Sequence, residues 1–556
     1  MTPTRLLLAT TALSLMASAS TAMAQDLYIH GGTIYTGDAA APTAQAVVVR
    51  NGRIEHVGAA MADIGDMPQI DLAGATLFPG FTDGHAHLDG IGWRELTLNL
   101  EGSASVVDAM SKLTAWAQAH PQGVIVGRGW IETRWPESAN GARFLTAADL
   151  DAAAPGRLVI LERADGHALT ASTPALAAAG IDATTQAPSG GEIALGADGQ
   201  PTGFIVDAAM ALVAPLMPTS DPAATRAAYQ AGFRVEAAYG WTGVHFMSAP
   251  FADIPLLEQM AEAGEAPLRV YNAITPDGAE ALFASGPRSV ADGRVITRAV
   301  KLYADGALGS RGAALFEPYS DAPHTRGLMQ TTEAEIEPIY EQALRSGIQV
   351  ATHAIGDRGN SEVLHWYEKA MADVPAADRK IAQPRWRIEH AQILRPAEEP
   401  LFRGMGVIAS MQPSHAIGDL HFAPARLGDA RLDGAYAWES LVDLGVVVVG
   451  GSDAPVERGD PLIEFYAAVA RRDLDGFQGP DWRPNEAVSR ETALKMFTSA
   501  PAYASFREDE LGTIAVGKRA DFTAFDIDLM TVPEAEIPKG HAVLTIVDGQ
   551  VVYRRE

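Results

Sequence analysis

The chain has 556 residues, is 47% hydrophobic and carries a formal net charge of −27. This acidity argues against a protein that binds nucleic acid or an anionic membrane surface, and we attribute it to solubility rather than to a cationic substrate. The sequence contains no cysteine, which excludes disulfides, thiol nucleophiles and cysteine-ligated zinc sites. Its length favours more than one domain.

Residues 1–24 are typical of a cleavable secretory signal peptide. Arg5 supplies the positive charge, residues 6–16 form an apolar core, and a small-x-small cleavage site ends at Ala24. A membrane anchor is the alternative, but this apolar core is too short to span a bilayer and polar sequence follows it. We therefore expect a periplasmic or secreted protein that begins near Gln25.

Short strands and turns characterise both ends of the chain. Residues 25–79 contain apolar or alternating runs separated by turns, among them a typical hairpin turn at Asn51-Gly52. Residues 510–556 contain similar runs interrupted by glycine and aspartate. Because neither end is long enough for a core of its own, we expect the two to pair as one small β-sandwich domain.

The segment between the two ends, residues 80–509, alternates between apolar strand candidates and helical patterns. This alternation is the signature of βα units and predicts an α/β fold with a (β/α)8 barrel of the TIM type. The strand candidates after the first lie at 243–246, 299–303, 349–353, 387–390, 406–411 and 446–449. Residues from about 103 to 231 fit the pattern less well. We expect them to form an insertion after the first barrel strand, as part of a substrate lid.

A His-x-His pair follows the first predicted barrel strand. Only one residue separates His85 from His87, so in extended backbone both side chains point to the same face and can reach one metal ion. More ligand-type residues stand on later strand candidates, where a parallel barrel keeps its active residues: Lys301, His353, His390 and Asp453. Nitrogen and oxygen ligands of this kind suit zinc, with iron, manganese or nickel as alternatives.

Each member of this set also has a simpler interpretation. A single histidine at a strand end is more often a structural residue than a metal ligand. Asp453 could cap the following helix, and Lys301 could form a buried ion pair with Asp305 or Glu317. These alternatives are independent of one another, and together they account poorly for polar groups that converge on one barrel mouth. We therefore favour the metal site.

The motifs around these residues resemble the amidohydrolase superfamily, in the branch of metal-dependent hydrolases that contains N-substituted formamide deformylase (amidohydrolase family 3). The resemblance rests on segments 79–87 (PGFTDGHAH), 300–306 (VKLYADG), 352–357 (THAIGD), 388–391 (IEHA) and 451–455 (GSDAP). Segments 129–130, 165–167 and 190–193 also match, and the resemblance runs from about Leu27 to Val552. The chain departs from the branch at Ser172, where relatives usually have asparagine, and at Phe246, where they often have an acidic residue. Both departures concern candidate substrate contacts.

The resemblance implies two zinc ions, with other divalent metals as alternatives. One ion would be held by His85, His87 and Asp453, and the other by His353 and His390. Lys301 would react with carbon dioxide, and its carbamate would bridge the ions. This is physically consistent, because a bare ammonium would repel two divalent cations whereas a carbamate supplies an anion. A single ion beside an uncarboxylated Lys301 is the alternative.

A metal ion would lower the pKa of a bound water, so that hydroxide attacks the scissile carbonyl near neutral pH. Asp453 would accept the water proton and pass it to the leaving amine. His167 is the candidate donor to the developing oxyanion, with a structural loop histidine as the alternative. Trp130 and Tyr303 are candidates for an apolar substrate pocket, although aromatic residues are more often core. Arg311 is a candidate contact for an anionic substrate group, with a surface ion pair as the alternative.

The sequence thus predicts a secreted or periplasmic metal-dependent hydrolase of a C–N bond in a small amide, formamide or N-acyl compound. The second hypothesis is another reaction on the same barrel, namely ester hydrolysis, deamination, decarboxylation or isomerisation, because fold and ligands do not decide the reaction. The third is a non-enzymatic metal-storage or solute-binding protein, although a proton shuttle such as Asp453 argues against storage. Barrels of this kind are often dimers, so a homodimer is an open possibility.

Overall fold

The computed structural model describes residues 26–132, 135–138, 141–188, 190–217, 221–480 and 482–556. The predicted signal peptide at residues 1–24 lies outside the described residues. Among the helices in these ranges, none is both long and apolar enough to cross a membrane.

The described chain opens with five short strands. They are β1 (Leu27–Tyr35), β2 (Thr43–Arg50), β3 (Arg53–Gly58), β4 (Gln69–Asp71) and β5 (Thr76–Pro79). Strand β6 (Phe81–Ala86) then begins the barrel, and helix α1 (Leu88–Leu96) follows it after a single residue, His87.

After α1 the chain leaves the barrel and builds a separate sheet, which we call the insertion. Its strands are β7 (Leu98–Asn99), β8 (Ile125–Trp130), β9 (Val159–Arg163), β10 (Ala168–Ala171), β11 (Gly191–Leu195) and β12 (Pro201–Asp207). Its helices are α2 (Val106–Ala119), α3 (Ala147–Ala153) and α4 (Thr173–Ala178). The strand order is β11-β12-β10-β9-β8-β7. Two buried apolar clusters, one around Trp130 and one around Ile205, give the insertion a core of its own.

The chain then returns to the barrel and adds seven parallel strands to β6. The strands of this segment are β13 (Trp241–Ala249), β14 (Arg269–Ile274), β15 (Arg288–Val290), β16 (Val295–Tyr303), β17 (Gln349–Ala354), β18 (Arg387–His390), β19 (Ile408–Met411) and β20 (Val448–Gly450). The barrel order is β6-β13-β14-β16-β17-β18-β19-β20, and β15 pairs antiparallel with β16 off this path. The predicted α/β barrel is therefore confirmed.

The helices of this segment lie between and after the barrel strands. They are α5 (Pro222–Tyr239), α6 (Ile254–Glu262), α7 (Ala279–Ser285), α8 (Glu333–Ser346), α9 (Asp357–Asp373), α10 (Glu399–Met405), α11 (Pro413–Asp419), α12 (Ala423–Leu427), α13 (Trp438–Asp443), α14 (Pro461–Ala470), α15 (Arg490–Phe497) and α16 (Ser499–Ala504). Local sequence explains several of their ends. In α8, for example, Thr332 and Glu335 form a capping box and Gly347 ends the helix in left-handed backbone.

Three C-terminal strands complete the sheet that the N-terminal strands began. They are β21 (Phe522–Phe525), β22 (Ala542–Val547) and β23 (Gln550–Arg554). The strand order is β23-β22-β21-β5-β1-β2-β3, with β4 beside β1. Apolar side chains from both chain ends share one buried cluster. The two ends therefore form one β unit, as neither could alone.

The last and first barrel strands meet at their C-terminal ends. The backbone N–H of Asp453 donates to the carbonyl of His85 at 2.6 Å, and the N–H of Ser452 donates to Asp83 Oδ1 at 2.9 Å. These contacts bring the loop after β20 against the C-terminal half of strand β6. Residues 85 and 453, far apart in sequence, thus become neighbours.

Close packing of α1 against α5 fixes the place where the insertion departs and returns. A Cβ atom on Gly92 would lie 1.8 Å from the carbonyl oxygen of Ala228, and one on Gly232 would lie 2.4 Å from that of Leu88. Only glycine permits this approach of the two backbones. Because His87 immediately precedes α1, the same packing positions its side chain.

Candidate active site

A cavity of about 370 Å³ opens at the C-terminal end of the barrel. The side chains that line it include all six predicted metal-ligand residues, which are His85, His87, Lys301, His353, His390 and Asp453. This is the end of the barrel where active residues of parallel barrels lie. The structure therefore brings the whole predicted set together.

The carboxylate of Asp453 is the centre of this group. Its Oδ1 lies 3.0 Å from His87 Nε2 and 3.4 Å from His85 Nε2, and its Oδ2 lies 3.6 Å from His415 Nε2. Burial alone would raise the pKa of Asp453, but the imidazoles of His85 and His87 hold this pKa well below its usual value. Asp453 does not cap the next helix, because Asp460 takes that place at the start of α14.

The donor atoms here fit a divalent metal. One ligand atom each from His85, His390 and Asp453 lie within 4.8 Å of one another. His85 is fully buried, and its Nε2 has no hydrogen-bond partner in the described part of the chain. A buried ring nitrogen without a partner is costly unless it binds something, and a metal ion satisfies it.

Hydrogen bonds on the far side of each ring orient these histidines. His85 Nδ1 lies 2.7 Å from Glu389 Oε2, and His390 Nδ1 lies 2.8 Å from Gln412 Oε1. In both rings the Nδ1–H donates to an oxygen, which leaves the Nε2 lone pair free for a metal. Burial lowers the pKa of His390 well below its ordinary value and that of His85 to about 4, so both rings are neutral, as metal ligation requires.

Glu389 belongs to a buried charge network inside the barrel. Arg387 and Glu389 are both fully buried, and the guanidinium donates to both carboxylate oxygens at 2.7 and 3.0 Å. The same guanidinium donates to Gly84 O, Ser410 Oγ and His245 Nδ1, each within 2.8 Å. The network connects strands on opposite sides of the barrel and fixes the Glu389 carboxylate behind His85.

Lys301 lies deep in the cavity, only 1% exposed, and its Nζ is 5.3 Å from the ring centroid of Tyr303. Burial lowers the pKa of Lys301 to about 8. The alternative ion pairs are absent from the described residues. Asp305 instead accepts three backbone N–H groups, and Glu317 faces Arg326 at 4.0 Å.

The insertion covers one side of the cavity and supplies His167. Its Nδ1 lies 2.9 Å from Asp207 Oδ1, so the ring donates there and its Nε2 remains available to the cavity. Burial alone would lower the pKa of His167, but the hydrogen bond to Asp207 raises this pKa above its ordinary value. Arg163, also on the insertion, is held by Glu132 and Asp165.

The predicted substrate residues have different locations. Tyr303 lines the cavity and hydrogen-bonds Ser248. Trp130 does not line it, because the side chain is fully buried in the core of the insertion and its Nε1–H donates to Leu161 O at 3.0 Å. Arg311 does not line it either, and its guanidinium pairs with Asp321 at 2.9 Å, which is the alternative ion pair.

The two departures from the family pattern also lie away from the cavity lining. Ser172 is the N-cap of α4, and its hydroxyl accepts the N–H of Val159 at 3.0 Å. Phe246 is fully buried and packs against Tyr229. The expectation that these positions contact substrate therefore has no support in the geometry.

Several polar residues that line the cavity or hydrogen-bond to its lining residues had no role in the sequence interpretation. They are Arg387, Glu389, Gln392, Gln412 and His415. Two signals could have indicated them. Arg387 and Glu389 stand two residues apart in strand β18, so both side chains lie on the same face of the strand. Gln412 directly follows strand β19 and His415 lies in the first turn of the next helix, α11, at the active end of the barrel.

Comparison with known proteins agrees with this geometry. The family model described as "Amidohydrolase family" matches residues 69–553. YtcJ of Bacillus subtilis (strain 168) is 32% identical over 541 residues, covering 95% of this chain and 99% of that protein. N-substituted formamide deformylase of Arthrobacter pascens is 27% identical over 554 residues, covering 96% and 99%. The crystal structure of an uncharacterized metal-dependent hydrolase from Pyrococcus horikoshii OT3 has 24% identity and a TM-score of 0.74, covering 92% and 99%. The chain therefore belongs to the amidohydrolase family of metal-dependent hydrolases.

Proposed function

We propose that the protein is a secreted amidohydrolase that cleaves the C–N bond of a small amide, formamide or N-acyl compound. The observation that carries the proposal is the unpartnered His85 Nε2, which lies 3.4 Å from a cavity-lining carboxylate, Asp453. When bound, a divalent metal supplies a water of lowered pKa and polarises the scissile carbonyl. The similarity to N-substituted formamide deformylase supports a C–N bond as the target.

We assign the metal ligands in two groups. His85, His87 and Asp453 would hold one ion, and His353 and His390 the other, with zinc as the expected metal. The ring centroids of His353 and His390 lie 4.5 Å apart, and those of His85 and His390 lie 4.8 Å apart, which supports neighbouring ions. Lys301 would bridge them as a carbamate. Its deep burial supports this role, because an ammonium there is disfavoured while a carbamate is neutralised by the cations.

Asp453 would move the proton. Its carboxylate is charged in the resting site and faces the cavity, so it can accept a proton from the attacking water and deliver it to the leaving nitrogen. Its backbone adopts a left-handed φ of 60°, which is uncommon outside glycine and supports a functional constraint.

His167 would donate a hydrogen bond to the oxygen on which negative charge develops. Asp207 fixes the tautomer and orientation of its ring, and the raised pKa favours the protonated donor form. Because His167 comes from the insertion, the insertion would act as a substrate lid that also completes the catalytic group.

Hydrolysis of matched chromogenic substrates tests the proposal. We would measure release of 4-nitroaniline from 4-nitroformanilide and 4-nitroacetanilide after removal and replacement of zinc. The expected result is zinc-dependent turnover that falls by about 10²–10⁴-fold in Asp453→Asn. Asp66→Asn, at an exposed position, is the control and should retain activity. Zinc-loaded protein that hydrolyses the corresponding nitrophenyl esters but neither anilide would contradict the proposed bond type.

Secretion is a separate part of the proposal and rests on residues 1–24. Mass spectrometry of protein recovered from the periplasm or medium of an expressing bacterium should give a mature chain that begins near Gln25. Recovery of the full-length chain from the cytoplasm alone would refute it.

A further inference from the structure

Two polar side chains beside the predicted metal ligands have no role in the proposed function. Gln392 lies two residues after His390, in the loop that follows β18. His415 lies in the first turn of α11, which begins directly after β19. Both side chains line the 370 Å³ cavity, and both residues are buried, at 4% and 8% exposure.

The two side chains form a pair that leaves one polar atom on each without a partner. Gln392 Nε2 lies 3.0 Å from His415 Nδ1. Gln392 Oε1 and His415 Nε2 are buried, and neither has a hydrogen-bond partner among the described residues. Leaving such atoms unpaired costs about 1–3 kcal/mol each, so the pair is arranged for an occupant of the cavity.

The chemistry of the pair defines that occupant. Because the Gln392 amide N–H donates to His415 Nδ1, the ring proton is on Nε2, and the pair presents one donor, Nε2–H, and one acceptor, Oε1. Rotating the amide by 180° exchanges the two roles but still leaves one donor and one acceptor. The complement is a ligand that offers both a hydrogen-bond acceptor and an N–H donor, as an amide that carries an N–H does.

The position of the pair connects it with the reaction. His415 Nε2 lies 3.6 Å from Asp453 Oδ2, and the His415 ring stacks with that of His390 at a centroid distance of 5.9 Å. A group bound by the pair would therefore lie beside the carboxylate that we assign to proton transfer.

Backbone contacts anchor the two segments that carry these side chains. The carbonyl of Gln392 accepts the N–H of Tyr436 at 2.6 Å, and the N–H of Ser414 donates to the buried Glu464 at 3.0 Å. A fixed donor and acceptor discriminate between substrates better than mobile ones, because less ordering is needed on binding.

We propose that Gln392 and His415 bind the scissile amide itself and select substrates whose amide nitrogen carries a hydrogen, against tertiary amides and esters. This inference rests on the proposed function and narrows its substrate class. A site that hydrogen-bonds a substrate N–H rejects an analogue without it, because its own buried group is then left unpaired.

The test compares 4-nitroacetanilide with its N-methyl derivative. For each compound, kcat/KM is divided by the rate constant of its uncatalysed hydrolysis. By this ratio we expect zinc-loaded wild-type protein to prefer the secondary amide by at least about 10-fold, since one hydrogen bond to a buried group contributes about that factor. Gln392→Met should lose most of this preference, while zinc content stays at the wild-type level. Gln330→Met, at an exposed position on the cavity rim, is the matched control and should keep the preference.

A second readout does not depend on turnover. In metal-free protein, calorimetry should show tighter binding of the secondary amide than of the N-methyl compound, and Gln392→Met should remove the difference. The inference would be overturned if wild-type protein bound and hydrolysed the two compounds equally well, or if Gln392→Met kept the wild-type preference. Either result would leave the proposal of amide hydrolysis intact. If neither compound is hydrolysed, the proposed function fails for these substrates and the binding comparison alone decides the inference.

Discussion

Substitution of Glu389 by glutamine tests the buried network that supports the active site. Glu389 is fully buried between Arg387, which donates twice to its carboxylate, and His85, which donates once. Burial alone would raise the pKa of Glu389, but Arg387 and His85 hold it well below its usual value. The native carboxylate is therefore charged, and glutamine removes that charge while keeping the shape.

The expected loss follows from the burial of the partner. Arg387 is also fully buried, so Glu389→Gln leaves its charge without compensation in a low-dielectric interior. Breaking a buried pair in this way costs about 3–5 kcal/mol of unfolding free energy. Removal of the hydrogen-bond partner of His85, which we assign as a metal ligand, should also weaken zinc binding by about 10–100-fold.

Urea unfolding followed by circular dichroism, together with a zinc-binding titration, measures both effects. Glu55→Gln is the matched control, because Glu55 pairs with Arg50 at 2.9 Å but both side chains are about half exposed. This control should leave the unfolding midpoint unchanged. The double variant Arg387→Met/Glu389→Met should recover much of the lost stability, since it leaves no unpaired buried charge. A Glu389→Gln protein as stable as the control would refute the reasoning.

Further predictions concern packing, pH and loop structure, each measured by thermal unfolding. Gly92→Ala should destabilise the protein by about 1–3 kcal/mol, because the added Cβ meets the backbone of α5. Gly404→Ala is the control: this residue is exposed in α10 with free space around it, and the substitution should stabilise the protein by up to about 1 kcal/mol. Equal effects of the two substitutions on stability would contradict the packing argument. Glu236 is fully buried, neither carboxylate oxygen has a partner among the described residues, and burial raises its pKa well above the ordinary value. The wild-type protein therefore loses folding stability as the pH rises from the unfolded-state pKa of Glu236 through its raised folded-state pKa. Glu236→Gln has no carboxyl group to ionise, so its stability relative to wild type should increase from acid to alkaline pH. A stability difference that does not change with pH would refute this. Asp305→Ala should cost about 3 kcal/mol or more, because three backbone N–H groups lose their acceptor, and a loss below 1 kcal/mol would show that these groups find other partners.

The barrel was predictable because its strands are short apolar runs between helical patterns. Six strands after the first were recognised, and the observed strands overlap all six. Strand β14 (Arg269–Ile274) was missed, because Arg269 and Asn272 interrupt the apolar pattern. The structure explains both: Arg269 is buried in an ion pair with Asp521, and Asn272 bonds Thr297. Polar residues satisfied by distant partners are invisible to local periodicity.

Site residues could be predicted where a residue type that binds metals also stands at the end of a predicted strand. Histidine and aspartate at strand ends stand out, and the structure brings all of them to one cavity. Their supporting groups could not be predicted in the same way. Glu389 contacts His85 across 304 residues of sequence, and Gln392 meets His415 only because β18 and β19 are neighbours. Aromatic residues such as Trp130 have no local signal that separates cavity from core.

Metal content of the purified protein tests the central claim most directly. Protein purified without added metal, then reconstituted with zinc and freed of excess, should contain about two zinc ions per chain by elemental analysis. The Asp453→Asn variant should contain fewer, because it loses a ligand. A content of about one ion per chain would be consistent with a metal-dependent hydrolase but would exclude the bridging role of Lys301. Absence of bound metal even after reconstitution would contradict the account, and the histidines would then be structural.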